Sequence, residues 1–149
     1  MRRELHITPK EEIRVMTIRR LPNGHWLVVV YRGKYWLDGV AIVRCTPSEL
    51  PGVIKKLKYY GETRLIIVDD PNISQDIMKS LHSSLNVPVI AYSEGLKYAF
   101  GISPDHANNI LKFLSLNGIP EPIRVSRIIS RDLFSLMESG IYYRNQDNV

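Results

Sequence analysis

The chain has 149 residues, of which 44% are apolar and 23% are charged, and it carries a net charge of +5. That length and composition are typical of one globular domain, so we predict a single domain over 1–149 with flexible tails at 1–10 and 143–149. No apolar run approaches the roughly 20 residues of a membrane span, and the first residues lack the apolar centre of a signal peptide. We therefore expect a cytoplasmic protein with no membrane partner. Cys45 is the only cysteine, which excludes an intrachain disulfide and a cysteine-based metal cluster.

The positive charge is concentrated near the N-terminus. The residues up to Trp36 contain eight basic and three acidic side chains, an excess that equals the net charge of the whole chain. A basic segment of this kind is typical of proteins that bind nucleic acid or another polyanion. Basic surfaces are also common in proteins without such partners, so both interpretations stay open.

The first third of the chain predicts three antiparallel strands. Ile13–Arg20, Trp26–Arg32 and Tyr35–Cys45 are rich in β-branched and aromatic residues, and glycine-containing turns separate them. Asn23-Gly24 between the first two strands is a strong hairpin signal.

Helices and strands alternate in the middle of the chain. A helix over Val53–Tyr60 precedes a strand over Arg64–Val68, and a helix capped by Asn72 or Ser74 precedes a strand over Val87–Tyr92. Strands joined by one helix are usually parallel. Three antiparallel strands followed by parallel strands are similar in order to the ribonuclease-H-like fold, which is an α/β class.

A small sixth strand and two helices complete the prediction. Gly95–Ile102 fits the strand, one helix runs from Ser103 to about Leu116, and the last runs from Pro120 to about Glu138.

Two adjacent carboxylates follow the fourth predicted strand. Asp69 and Asp70 stand where ligands and metals collect in α/β proteins, and carboxylates are the ligands that Mg²⁺ prefers. Asp69 is therefore a candidate metal ligand, and Asp38 or Glu49 is a candidate second ligand. The alternative is that these acids are turn residues that precede a helix.

The first predicted strand ends in basic rather than acidic side chains. A ribonuclease-H-like nuclease holds Mg²⁺ between a carboxylate on its first strand and another at the end of its fourth. Here Arg19 and Arg20 end the first strand, and guanidinium is never a metal ligand. An arginine paired with Asp69 would replace the cation and argue against a metal nuclease.

Three arginines share one side of the last predicted helix. Arg124, Arg127 and Arg131 fall within a sector of about 60° when each residue turns the helix by roughly 100°. Such a stripe can contact phosphates, or it can pair with the acids of its own domain.

Aromatic residues in the predicted hairpins suggest another nucleic-acid surface. Trp26, Tyr31, Tyr35 and Trp36 alternate with basic side chains, and bases stack on such rings. Aromatic residues in hairpins more often pack in cross-strand pairs, and that interpretation stays open as well.

Several motifs together resemble one family. Gly101-Ile102-Ser103-Pro104, Gly118–Val125, Leu37–Val40 and Arg64–Asp69 occur in the order found in the archaeal endonuclease dU family, which is related to endonuclease V. The resemblance implies a ribonuclease-H-like fold and Mg²⁺-dependent cleavage of DNA that contains deaminated bases, chiefly deoxyuridine. It also implies a shortened, degenerate member, because the acidic pair of the family falls on arginines here.

Three hypotheses follow. The first is a DNA-repair-like pseudoenzyme that binds nucleic acid, with DNA favoured, or a protein partner, and does not cleave nucleic acid. The second is an active Mg²⁺-dependent endonuclease on uracil- or inosine-containing DNA. The third is a structural subunit that binds a protein partner through the surface Lys55–Tyr60. The candidate residues are Asp69 and Asp70 for catalysis, Asp69 and Asp38 for metal, and Arg19, Arg20, Arg124, Arg127 and Arg131 for nucleic acid.

Overall fold

The computed structural model describes residues 12–139, so the predicted tails at 1–10 and 143–149 lie outside the described residues. In this part of the chain, four α-helices cover the two faces of a six-stranded mixed sheet. The strands are β1 (Arg14–Arg20), β2 (His25–Arg32), β3 (Trp36–Arg44), β4 (Leu65–Asp69), β5 (Val89–Tyr92) and β6 (Leu96–Phe100), and the helices are α1 (Leu50–Lys55), α2 (Gln75–Leu85), α3 (Pro104–Phe113) and α4 (Glu121–Ser139).

The strands lie in the order β3-β2-β1-β4-β5-β6. β1, β2 and β3 form an antiparallel meander, β4 and β5 run parallel to β1, and β6 returns antiparallel to β5. This arrangement confirms the predicted α/β class, the meander, the parallel strands and the sixth strand. It also brings the C-terminal ends of β1 and β4 side by side at the centre of the sheet.

The central strands are buried on both faces. On β1, Met16 and Ile18 pack in one core cluster with Met78 of α2, whereas Val15 packs in another with Ile110 of α3. β4 is buried at all five positions because helices cover both sides of it. Alternation along β1 and β4 therefore directs neighbouring residues to opposite faces of the sheet.

Helix α4 crosses one face of the sheet from the start of β1 toward its end. Near its beginning Ile123 packs in a cluster with Val15, and near its end Met137 packs with Leu21, which follows β1. The helix therefore carries its side chains over the C-terminal ends of β1 and β4.

Helix α1 differs from the prediction of Val53–Tyr60. It begins earlier, because Pro51 fits the first turn of the helix, where its missing N–H has no partner to lose. It ends at Lys55, and the chain then turns so that the hydroxyl of Tyr60 donates to the carbonyl of Leu85 at 2.7 Å. That hydrogen bond ties the segment to the end of α2.

Candidate functional site

Asp69 and Arg19 lie side by side on neighbouring parallel strands. Ile18 is the register partner of Val68, so the next residues on each strand, Arg19 and Asp69, are adjacent. Both point to the face that α4 covers, and Asp69 is only 2% exposed. A carboxylate this deeply buried needs partners for both of its oxygens.

Two arginines supply those partners. Arg127 of α4 makes a bidentate pair with Asp69, in which Nε donates to Oδ2 and Nη2 donates to Oδ1, each at 2.9 Å. Arg19 donates from Nη1 to Oδ2 at 2.7 Å. Two parallel charge-assisted hydrogen bonds from one guanidinium are among the strongest polar contacts in proteins. The carboxylate of Asp69 is thus enclosed by cationic side chains from β1 and α4.

Further hydrogen bonds hold both guanidinium groups in place. The Nε of Arg19 donates to the hydroxyl of Ser130 at 2.9 Å, and that hydroxyl donates to the carbonyl of Arg127 at 3.1 Å. The Nη2 of Arg127 also donates to the carbonyl of Ser93 at 2.8 Å. The hydrogen bond to Asp69 raises the pKa of Arg127 above its usual value. The guanidinium group of Arg127 therefore stays charged at any physiological pH.

Asp70 forms a second ion pair on the opposite side of the sheet. Its Oδ2 accepts from the Nε of Arg20 at 3.1 Å, and its Oδ1 accepts from the backbone N–H of Asn72 at 2.9 Å. The guanidinium of Arg20 lies 4.6 Å from the centre of the Trp26 ring. Asp70 thus has the turn role expected of an acid before a helix, together with a cationic partner.

The predicted arginine stripe divides into three different environments. Arg127 binds Asp69, and Arg124 forms an ion pair with Glu121 one turn earlier in α4. The hydrogen bonds from Arg124 lower the pKa of Glu121 below its usual value. Arg131 is exposed. Two of the three arginines therefore pair with acids of the domain, and the third remains at the surface.

An open groove of about 540 Å³ lies beside the Asp69 cluster. Its walls come from the end of β1 and from α4. The lining residues are Arg19, Arg20, Arg127, Ser130, Arg131, Phe134, Ser135 and Glu138. Because Asp69 is buried beneath Arg19 and Arg127, the groove presents guanidinium groups together with the ring of Phe134 and the carboxylate of Glu138.

The other candidate metal ligands, Asp38 and Glu49, do not lie near Asp69. Asp38 lies at the opposite end of the sheet, where its carboxylate pairs with Arg14 at 2.9 Å and Arg32 at 3.1 Å. Glu49 accepts a hydrogen bond from the backbone of Thr46 at 2.9 Å, as a helix cap does. Within residues 12–139, no three His, Cys, Asp or Glu side chains come close enough together to bind a metal ion.

The surroundings of Asp69 do not fit Mg²⁺. This ion needs carboxylate, carbonyl, phosphate or water oxygens in an octahedral arrangement, and a guanidinium group provides none of them. At Asp69 both carboxylate oxygens already accept hydrogen bonds from guanidinium groups. The predicted catalytic pair Asp69 and Asp70 therefore consists of two ion-paired carboxylates that face opposite sides of the sheet.

The hairpin aromatics separate into buried and exposed pairs. Trp26 and Tyr31 belong to the core, and the Trp26 ring N–H donates to the carbonyl of Cys45 at 3.0 Å. These two rings are therefore not available for base stacking. Tyr35 and Trp36 are exposed at the β2–β3 turn, at the end of the sheet opposite the groove.

Several residues of the site were not predicted. Ser130 could have been found from helical spacing, since it lies one turn from Arg127 on the side of α4 that faces the sheet. Ser93 contributes only a backbone carbonyl, which any residue type provides. Phe134 follows Ser130 by one further turn and reaches the groove.

Comparison with models of known protein families gave no match, and comparison with curated protein sequences gave none either. Among the described helices, none combines the length and the apolar character needed to cross a membrane.

Proposed function

We propose that this protein binds nucleic acid, DNA in preference to RNA, through the arginine groove and does not cleave it. In this proposal it is a ribonuclease-H-like relative of endonuclease V and endonuclease dU in which arginines have replaced the catalytic metal. The observation that carries the proposal is the enclosure of Asp69 by Arg19 and Arg127.

The order of the strands supports this relationship. A ribonuclease-H-like nuclease would place its two metal-binding carboxylates at adjacent positions on its first and fourth strands. The corresponding positions here are Arg19 on β1 and Asp69 on β4, which lie next to each other. The position on β4 is acidic and the position on β1 is basic. The guanidinium group of Arg19 therefore lies where the nuclease would hold a metal cation.

The outer ends of the arginines support nucleic-acid binding. Within the described part of the chain, Arg20 uses only its Nε in a hydrogen bond, and Arg131 makes no hydrogen bond to a protein acceptor. Both side chains line the groove, so N–H groups without a protein acceptor are present there. Phosphate oxygens are the usual acceptors for clustered arginines of this kind.

The test is a titration of labelled DNA with the protein at several salt concentrations. We expect affinity to fall steeply as salt rises, and Arg131→Gln to reduce the slope of log K against log salt by about one. The matched control is Arg64→Gln, which removes an exposed arginine at the opposite end of β4 and should leave the slope unchanged. Equal effects of the two variants, or no binding at low salt, would overturn the proposal.

The same preparations decide the question of cleavage. We expect uracil- and inosine-containing DNA to stay intact in the presence of Mg²⁺ or Mn²⁺. Nicking that disappears in Asp69→Asn would establish the alternative of an active endonuclease.

A second candidate function, a structural subunit, is favoured by the exposed face of β3. Leu37, Val40 and Ile42 are apolar and exposed on one face of β3, and Tyr35 and Trp36 are exposed at the turn before it. β3 is also an edge strand with open backbone groups. Edges of this kind normally carry charges that prevent pairing with another chain. The predicted interface at Lys55–Tyr60 is less suitable, because its apolar side chains pack partly against the core.

This second candidate predicts that two copies associate through β3. Ile42→Lys places a charge on the apolar face and should convert dimers to monomers in sedimentation equilibrium at micromolar concentration. Ile128→Lys, at an exposed position of α4, is the matched control and should leave the mass unchanged. A wild-type chain that is monomeric throughout this concentration range contradicts the candidate.

A further inference from the structure

The aromatic ring of Phe134 lies in the arginine groove and is 42% exposed. On α4 it follows Arg131 by three residues and Ser130 by four, so all three side chains share one side of the helix. A large apolar ring gains nothing by facing water, and it has a cationic side chain on the same helix surface. The combination of an exposed ring and neighbouring guanidinium groups suits a ligand with both an apolar face and negative charge.

We propose that the groove binds single-stranded nucleic acid and that Phe134 stacks on an unpaired base. This inference rests on the proposed function and names its substrate class. Proteins that bind single strands combine a cationic groove for the backbone with aromatic side chains for the bases. A duplex keeps the faces of its bases inside the helix, so it would contact the arginines but leave the ring without a stacking partner.

The groove has the size and polarity that this arrangement requires. Its volume of about 540 Å³ falls within the usual range for sites that hold a small organic molecule, such as one nucleotide. Glu138 lines the groove one helical turn beyond Phe134, where its negative charge would repel phosphate. The backbone of the strand should therefore lie beside Arg19, Arg20 and Arg131, with a base turned toward the ring.

The experiment compares a single-stranded oligo(dT) with a hairpin duplex of equal length at low salt. Phe134→Ala should weaken binding of the single strand by at least about fivefold, since stacking contributes roughly 1–3 kcal/mol per base. Duplex binding should change by less than about twofold, because the arginines that hold the duplex remain. Phe134→Tyr keeps an aromatic ring and should restore single-strand binding.

A matched control and a spectroscopic probe complete the design. Ile128→Ala removes a side chain of the same helix that is 38% exposed and does not line the groove, so it should change neither affinity. Phe134→Trp should show fluorescence quenching by oligo(dT) beyond the change seen in the wild-type protein. Absence of binding to both nucleic acids overturns the proposed function itself. If Phe134→Ala binds oligo(dT) as strongly as the wild-type protein does, only the assignment to single strands is overturned. The same conclusion follows if the variant binds oligo(dT) and the duplex with equally weakened affinity.

Discussion

Replacing Asp69 with asparagine is expected to lower the free energy of unfolding by about 3 kcal/mol, because removing one partner of a buried ion pair leaves the others uncompensated. Asparagine keeps the size of the side chain, but it accepts through one oxygen and directs an N–H₂ group toward a guanidinium. The side chains of Arg19 and Arg127 are 31% and 34% exposed, so water recovers part of the loss. The expected value therefore lies at the lower end of the range for buried pairs.

Urea unfolding at neutral pH measures this change. The control is Asp132→Asn, which removes an exposed acid from the same helix as Arg127 and should alter stability by less than about 0.5 kcal/mol. In a metal site without its metal, neighbouring carboxylates repel one another, so neutralising one of them would stabilise the protein. A stability that is unchanged or raised in Asp69→Asn would thus contradict the ion-pair interpretation.

The second large effect is expected for Arg19→Asp, which places a carboxylate beside Asp69 at the position where a ribonuclease-H-like nuclease has one. This change removes one ion pair and adds repulsion between two acids, so we expect a loss of about 3–5 kcal/mol at pH 7. The control is Arg64→Asp, which changes the net charge equally at an exposed site. A loss no greater than that of the control would contradict the arrangement described for the cluster.

The stability of Arg19→Asp should also depend on pH in a characteristic way. Two neighbouring carboxylates repel each other when both are charged, and protonation of either one relieves the repulsion. The repulsion therefore destabilises the variant at neutral pH and weakens as the pH falls. Relative to the wild-type protein, the variant should recover stability on acidification.

Mg²⁺ provides a further test of the same variant. If the new pair of acids binds the ion, a concentration ten times the dissociation constant adds about 1.4 kcal/mol of stability. For a chain of this size that corresponds to roughly 3–5 °C in melting temperature. The wild-type protein should show no such shift, because the guanidinium group of Arg19 lies where the variant has its second carboxylate. A shift of equal size in both proteins would contradict this expectation.

The sequence predicted the elements well where local patterns decide them. β-Branched runs and glycine-containing turns located β1 to β5 within about two residues, and Ser74 caps α2 as its position before the apolar pattern suggests. Helix α1 was less accurate, since a proline at its start and a tyrosine hydrogen bond beyond its end outweigh the apolar spacing.

The site was predicted in part. The pairing of Arg19 with Asp69 follows from parallel strands in the expected order, so the sequence contained the means to anticipate it. The second partner, Arg127, is 58 residues from Asp69 in sequence. Helical spacing shows that Arg124, Arg127 and Arg131 share a side of α4, but only the packed position of the helix determines which of them reaches the strand ends.

The wide sequence separations within the cluster have a consequence for the order in which the protein folds. Arg19 bonds with Asp69 across 50 residues and with Ser130 across 111 residues. Contacts of such long range form late, because the chain entropy lost in closing the loops is recovered only when both ends have docked. During synthesis, the sheet can close around Asp69 before α4 exists, and the carboxylate then has a single cationic partner. Docking of α4 supplies the second, so a helix made after the whole sheet completes the ion pairs at the end of β1 and β4.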